Sequence, residues 1–328
     1  MRADQPPTSP LFLYLNVNKH GVVLDPMQSD DRTALGRLIE QSDVFVTDLQ
    51  PAEAVALDLT PEALLARAPQ LVAVSVTPFG LTGPRADAPS CELVDWAASG
   101  YAHLTPAGGK REGGRPLKPA GAQGGFMAGA STAAAVMAAL HRRESSGRGQ
   151  AIDVSIQETL ICANDSTFAR SMTHGDNIPT RLVESSFEFL PCKDGYVSLL
   201  FVREDQWERM VAMMGNPEWA TTGLFASWAD RRANWDAVAA MLSEYFIHYT
   251  REELYRTAQA HRIPLAPVTS AADVLNAPQL NARRYFVDLP LPNGGTVKAP
   301  GAPYRLARTP WSLRADLTRF AALTAPPS

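Results

Sequence analysis

The sequence is short of several things, and each shortage excludes something. Only three cysteines occur in 328 residues, Cys91, Cys162 and Cys192, and they are far apart. That excludes a disulfide scaffold and a Cys-x-x-Cys zinc site, and it fits a reducing compartment. Neither sign of charge is in large excess, with 30 Lys plus Arg against 34 Asp plus Glu and a formal net charge of −4. A dedicated nucleic-acid binder usually presents a basic surface, so that class is set aside. Long hydrophobic runs are missing too. The longest apolar stretch, FMAGASTAAAVMAAL at 126–140, is shorter than the about 20 residues of a bilayer span. The opening MRADQPPTSP is polar and proline-rich, and the apolar run at 11–15 is too short for a signal-peptide core. The expected location is the cytoplasm, with no membrane partner.

Familiar catalytic spacings are also absent. None of His20, His103, His141, His174, His248 and His261 falls in His-Glu-x-x-His or another metal-binding spacing. No Gly-x-Ser-x-Gly nucleophile elbow occurs. The glycine-rich run GAQGGFMAG at 121–129 lacks both the Gly-Lys-Ser/Thr of a Walker loop and the Gly-x-Gly-x-x-Gly fingerprint. It reads as close helix packing rather than a phosphate cradle. His141-Arg142-Arg143 read as cations at a helix C-terminus. The cysteines read as small core or near-surface residues with no base beside them.

What is present is a globular balance, 45% hydrophobic and 20% charged, enough to bury a core. The first half alternates strand and helix: strands at 12–16, 22–25, 44–47 and 71–76, helices at 31–41 and from Thr60-Pro61-Glu62 onward. Asp95-Trp96 are expected on an amphipathic helix with Leu93 and Val94. A loop at 102–120 precedes a long helix to about Arg143, where Gly125, Gly129 and Ala133 recur every fourth residue and predict a smooth side for close packing. A strand at 151–155 and a helix at 157–170 follow. This βαβ rhythm predicts a mostly parallel sheet covered by helices. Near 185 the texture changes. Asp194-Gly195 between FEFL and SLLF predicts a β-hairpin. Helices are expected at 204–214, 229–247 and 250–261. The predicted partition is a large α/β domain at 1–185, a small α+β domain at 186–285 and a C-terminal return at 286–328.

Particular segments go further: LNVNKHGVVLD at 15–25, SDVFVTDLQP at 42–51, LVAVSVTPFGLTGP at 71–84 and AALHRRESSGRGQAIDVSIQE at 138–158. DGYVSLL and RIPLAPVTSAADVLNAPQL continue the series. Through them the chain resembles the family III CoA-transferases (the CaiB/BaiF family, with formyl-CoA transferase and the α-methylacyl-CoA racemases), from about residue 11 to about 309. The resemblance implies a Rossmann-like large domain, a smaller α+β domain and two chains interlocked as rings. It implies CoA or acyl-CoA as substrate and no metal or redox cofactor. It also implies covalent catalysis by one aspartate, whose carboxylate attacks the thioester to form a mixed anhydride. CoA thiolate then gives an aspartyl-CoA thioester, which passes CoA to a new carboxylate.

The same resemblance places that aspartate at Gly125, four residues before Gly129 and fifteen before Leu140. Glycine has no carboxylate, the amide of Gln123 cannot replace one, and no Asp or Glu occurs between Glu112 and Glu144. The racemase His-Asp pair falls on Cys91 and Glu92. The CoA-side positions fall on Leu24, Met27, Asp48, Leu49, Ala56, Leu57 and Ser90. Of these Leu24, Asp48, Leu49 and Leu57 are the binding candidates, while Met27, Ala56 and Ser90 stand where basic residues can occur in the transferases. Family chains run through a further βαβ segment before the Asn-x-Asn-Lys motif, here 16–19, so the expectation is an N-terminally short version, a start assigned too late, or a missing piece supplied from elsewhere. The expectation is a non-catalytic or degenerate subunit, forming a homodimer or a heterodimer with an aspartate-bearing paralogue. The alternatives are an independently active transferase or racemase-like enzyme using another residue, and a stand-alone acyl-CoA binding module.

Overall fold

The structure is a computed structural model that describes residues 9–104, 115–163, 187–201, 203–291, 295–313 and 320–321. The chain divides into two compact units, residues 21–183 with 320–328, and residues 1–20 with 184–319.

The first unit is built on a parallel sheet in the order Val44–Thr47, Val72–Thr77, Ala151–Ser155. The central strand VAVSVT is buried along almost its whole length, as expected where both faces of a parallel sheet are covered. Alternate residues serve opposite faces. Leu71 and Ala73 join Ile39, Leu59 and Leu64, from the side of helices Ser29–Glu40 and Pro61–Arg67. Val72 and Val74 join Ala139 of helix Gln123–Ser146. Helix Pro61–Arg67 starts as the sequence predicts, with Pro61 in its first turn and the Thr60 hydroxyl accepting the Ala63 N–H at 3.3 Å. Helix Gln123–Ser146 ends on Gly147 at φ +67°. The chain then passes so close to the sheet that any side chain at Gly149 would run into the Leu71 carbonyl. Gly21–Val22 pairs in parallel with Phe320–Ala321 as a separate two-stranded sheet.

The close-packing side of the long helix is not the predicted one. Gly124, Ala128, Thr132 and Ala139 are buried, whereas Gly125, Gly129 and Ala133 are exposed. A Cβ on Gly124 would stand 3.3–3.4 Å from Leu160 and Ile156, but among the described residues nothing lies within 4 Å of one on Gly129. Helix Ile156–Ala163 selects the face, and the four-residue spacing of small residues exists on both sides of the helix. The remainder of the helix predicted at 157–170 lies outside the described residues.

The second unit carries an antiparallel sheet of Phe187–Cys192, Gly195–Leu200 and Leu265–Pro267. Its hairpin turns at Lys193-Asp194, as the Asp-Gly signal predicts. Helices Glu204–Met213, Trp235–Phe246 and Arg251–Ala260 enclose a core that includes Phe201, Trp207, Met210, Leu242 and Phe246. The helix predicted at 229–247 is two helices, Trp228–Ala233 and Trp235–Phe246, broken at Asn234. The predicted strand at 12–16 is instead helix Pro10–Leu15, because Ser9 and Pro10 supply a helix start: the Ser9 hydroxyl oxygen accepts the Phe12 N–H at 3.4 Å. A second hairpin, Phe286–Pro290 with Thr296–Pro300, packs on that helix through Leu13, Leu289 and Ala299. This hairpin belongs to the second unit. Among the described residues, no helix is long and apolar enough to cross a membrane.

Candidate active site

In the first unit the three parallel strands deliver their carboxyl ends to one side, where ligands of open α/β sheets lie. Asp48 and Leu49 follow Val44–Thr47, and Phe79 and Gly80 closely follow Val72–Thr77. Both carboxylate oxygens of Asp153 accept the Leu81 N–H, at 3.1 and 3.2 Å, which fixes the turn at Gly80, φ +85°.

The four binding candidates are divided. Leu49 and Leu57 pack together against the Ile39–Leu64 core, which gives them a structural task. Asp48 is exposed at the strand end, and Leu24 is half-buried beyond Gly21–Val22; neither belongs to that cluster. Met27 is exposed to 72%, and Ala56 is exposed on helix Pro51–Ala56. Ser90 is engaged with its own neighbours, its hydroxyl donating to Asp95 at 2.5 Å.

A tighter constellation forms at the start of helix Gln123–Ser146. A helix start leaves backbone N–H groups without intrahelical acceptors and carries partial positive charge. Here Glu92, in the first turn of helix Glu92–Ala98, answers both needs. Its Oε1 accepts the Gly124 N–H at 2.9 Å and its Oε2 lies 3.4 Å from the Gly125 nitrogen. Lys118 stands 3.9 Å from the same carboxylate. The ammonium also donates to the Pro119 carbonyl at 2.7 Å and the Gly121 carbonyl at 2.5 Å, pinning the approach to the helix. Gln123 donates from its side chain to the Ala120 carbonyl at 3.1 Å. Among the described residues Gly125 faces open space: the nearest atom to a Cβ built there is Ala122 Cβ, at 4.0 Å. Cys91, the N-cap of the Glu92 helix, is exposed.

Asp95 and Trp96 lie with Leu93 and Val94 on one helix, Glu92–Ala98, as expected. Asp95 and Trp96 are buried, while Leu93 and Val94 are 60% and 41% exposed. Trp96 is the anchor, its indole N–H donating to the Leu117 carbonyl at 3.1 Å and its ring stacking on Tyr101. Burial pushes the Asp95 carboxyl up; the Ser90 hydroxyl opposes this and Glu92 adds to it.

So Glu92, Gly124 and Gly125 come together, and the leucine candidates do not join them. Sequence reasoning missed Lys118. Lys118 stands next to Pro119 in a stretch read as loop, and its role depends on a carboxylate distant in sequence. The arrangement holds a carboxylate on a helix N-terminus beside an ammonium. Gly125 itself contributes only its backbone. Among the described residues there is no group of three or more His, Cys, Asp or Glu placed to hold a metal ion.

A parallel α/β unit with a helix start presented beside its strand ends, joined in sequence to an α+β unit, is the class of protein these features define. The chain belongs to CoA-transferase family III, whose family model matches residues 1–317. It is similar to the succinyl-CoA:(R)-benzylsuccinate CoA-transferase subunit BbsE of Thauera aromatica, 28% identical over 94% of this chain and 77% of the relative. It is also similar to the succinyl-CoA–L-malate CoA-transferase alpha subunit of Chloroflexus aurantiacus, 28% identical over 89% of this chain and 69% of the relative. A crystal structure of a CAIB/BAIF family protein from Brucella suis shares the fold, with a TM-score of 0.82 and 24% identity over 96% of this chain and 82% of that one.

Proposed function

We propose that the chain is a non-catalytic subunit of a family III CoA-transferase that moves CoA between carboxylic acids. Its partner in this reading is a paralogous chain that retains the catalytic aspartate. A dicarboxylic acyl-CoA such as succinyl-CoA is the substrate class, because both relatives described above are named for succinyl-CoA transfer. CoA is a substrate here, and the chemistry needs no metal or redox cofactor. A cytoplasmic location suits such an assembly.

One observation carries the reading. At Gly125, the position matched to the nucleophile, there is a backbone N–H and open space, and the carboxylate bonded to that helix start belongs to Glu92. A glycine cannot form the mixed anhydride on which the transfer depends. Glu92 satisfies the N–H groups and the partial charge that an aspartate side chain there would also answer, so the fold keeps a neutralised helix start without the nucleophile. Leu24, Asp48, Leu49 and Leu57 remain the proposed CoA contacts.

The test is turnover with and without a partner. The purified chain is mixed with succinyl-CoA and a panel of carboxylic acids, alone and after co-expression with an aspartate-bearing family III chain of the same genome. The reading expects no CoA transfer alone and transfer with the partner, abolished when the partner's aspartate is replaced. Sustained transfer by the chain alone overturns it.

A second reading gives the carboxylate role to Glu92. Its side chain retains 22% exposure, and Oε2 is held less tightly than Oε1. In that reading Oε2 attacks the thioester carbon and the carbon–sulfur bond breaks, releasing CoA thiolate. An acyl adduct on Glu92 distinguishes the two readings.

A further inference from the structure

The connection at 78–91 leaves the carboxyl end of the central strand Val72–Thr77 and arrives at helix Glu92–Ala98. We propose that Arg85, within this connection, is the residue by which the chain selects a dicarboxylic acyl group. Its guanidinium takes the free carboxylate, and the Phe79 ring lies along the methylene chain. This rests on the acyl-CoA substrate class of the subunit reading and adds the residue that reads it.

Placement is the first argument. Irregular connections beyond about 12 residues are uncommon in compact units and are usually functional. This one stands at the strand ends, where ligands of open α/β sheets lie. It runs directly into Cys91 and Glu92, at the helix start matched to the nucleophile. Its backbone is held along its length. Asp153 accepts the Leu81 N–H, Asp87 accepts the Ala52 N–H at 2.8 Å, and the Arg85 carbonyl accepts the Ala88 N–H at 2.9 Å. A cation carried on a backbone so fixed has already met much of its ordering cost.

Charge is the second. Arg85 is exposed, and among the described residues it forms no ion pair. The carboxylates that follow it in the chain have other partners: Asp87 accepts from Ala52, Glu92 from Gly124 and Asp95 from Ser90. The guanidinium carbon lies 6.0 Å from the centroid of the half-buried Phe79 ring. An arginine fork beside an apolar ring suits an acyl group that ends in a carboxylate. The fork binds the carboxylate by charge-assisted, often bidentate hydrogen bonds, and the ring covers the methylenes. The phosphates of CoA offer the same anionic chemistry, and the experiment separates them from the acyl carboxylate.

The experiment titrates succinyl-CoA and butyryl-CoA, which differ by a carboxylate against a methyl group, into the parent, Arg85→Gln and Arg85→Lys. Calorimetry is run on each isolated chain and on its assembly with the aspartate-bearing chain. The parent is expected to prefer succinyl-CoA by about tenfold or more, the size of one charge-assisted contact. Arg85→Gln is expected to bind the two ligands equally, with its butyryl-CoA affinity within about twofold of the parent's, because only the carboxylate contact is lost. Arg85→Lys keeps the charge without the fork and is expected to fall between them. The circular dichroism of each variant is expected to match the parent's, because Arg85 is exposed. Should Arg85→Gln fail to fold, Arg85→Lys carries the test through a preference smaller than the parent's. A parent that binds both ligands equally, or a preference that survives the substitutions, overturns this inference alone. An equal loss of both ligands in Arg85→Gln places the contact on a phosphate of CoA and also overturns it. A parent that binds neither ligand, isolated or assembled, overturns the inference together with the substrate class on which it rests.

Discussion

Glu92 and Gly124 are 32 positions apart in sequence, and the carboxylate of the first accepts the backbone N–H of the second at 2.9 Å. One short helix thereby caps another. The bond closes the helix start that the family resemblance marks as the site of the nucleophile.

The first prediction follows from that bond. Glu92→Ala leaves the Gly124 N–H without its side-chain acceptor and the helix start without its anion, at a cost of about 1–2 kcal/mol. Glu92→Gln keeps an acceptor and loses only the charge, so it is expected to fall between parent and alanine. Urea unfolding of the three proteins checks this. Equal midpoints contradict the capping role.

Adjacent glycines are predicted to respond with opposite signs. A Cβ on Gly124 meets Glu92 Oε2 at 3.2 Å and Leu160 at 3.3 Å, so Gly124→Ala is expected to destabilise by about 1–3 kcal/mol through overpacking. Gly125→Ala enters open space and removes chain entropy from the unfolded state, a gain of about 0.4–1 kcal/mol. Thermal unfolding separates them, and a shared sign counts against the packing face described here.

Two acids set opposing pH dependences. The Asp273 carboxylate accepts the Ser270 N–H, the Arg251 guanidinium and the Ser270 hydroxyl, which hold it down to about 2. Below the ordinary carboxylate range the unfolded chain takes up this proton first, so the contribution is present above about pH 4 and lost as pH falls toward 2. Asp273→Asn is expected to flatten the stability profile in that window. Asp95 has the reverse sign, because burial raises it and the unfolded chain loses the proton first as pH climbs. Asp95→Asn is therefore expected to help more at pH 7 than at pH 4. Unfolding midpoints of both variants across pH 2–7 are the measurement, and parallel profiles contradict it.

Arg231 is predicted to be a stability determinant of the second unit. It is buried, pairs with Glu204, donates to the Phe225 carbonyl at 2.8 Å and lies 4.8 Å from the Trp207 ring centroid. Arg231→Ala removes the cation–π contact and leaves that carbonyl unmet, at a cost of about 2–4 kcal/mol. A loss under about 0.5 kcal/mol in denaturant unfolding contradicts the assignment, being the size expected of an ordinary surface change.

Much of this fold was legible in the chain. The strand Val44–Thr47, the Thr60-Pro61 helix start and the Asp194-Gly195 hairpin rest on local chemistry, and the structure has them where that chemistry puts them. Choices that depend on a distant neighbour were not legible. Either small-residue face of Gln123–Ser146 could pack, and helix Ile156–Ala163 selects Gly124 and Ala128. Which face of the Glu92–Ala98 helix is buried was not legible either: Trp96 is buried and donates to the distant Leu117 carbonyl, while Leu93 and Val94 are exposed. At the site, Gly125 and Glu92 were identified through the family resemblance, but their meeting across two helices, with Lys118 beside them, required the fold.

The most direct test of the central claim, that no nucleophile stands at Gly125, is a trapping measurement. The chain alone is incubated with succinyl-CoA, treated with hydroxylamine or borohydride, and examined by intact-mass and peptide mass spectrometry, beside Gly125→Asp. The expected result is no modified carboxylate in the parent and a modified residue 125 in the variant, where the space among the described residues admits the side chain. A modified carboxylate in the parent, at Glu92 or elsewhere, would contradict it.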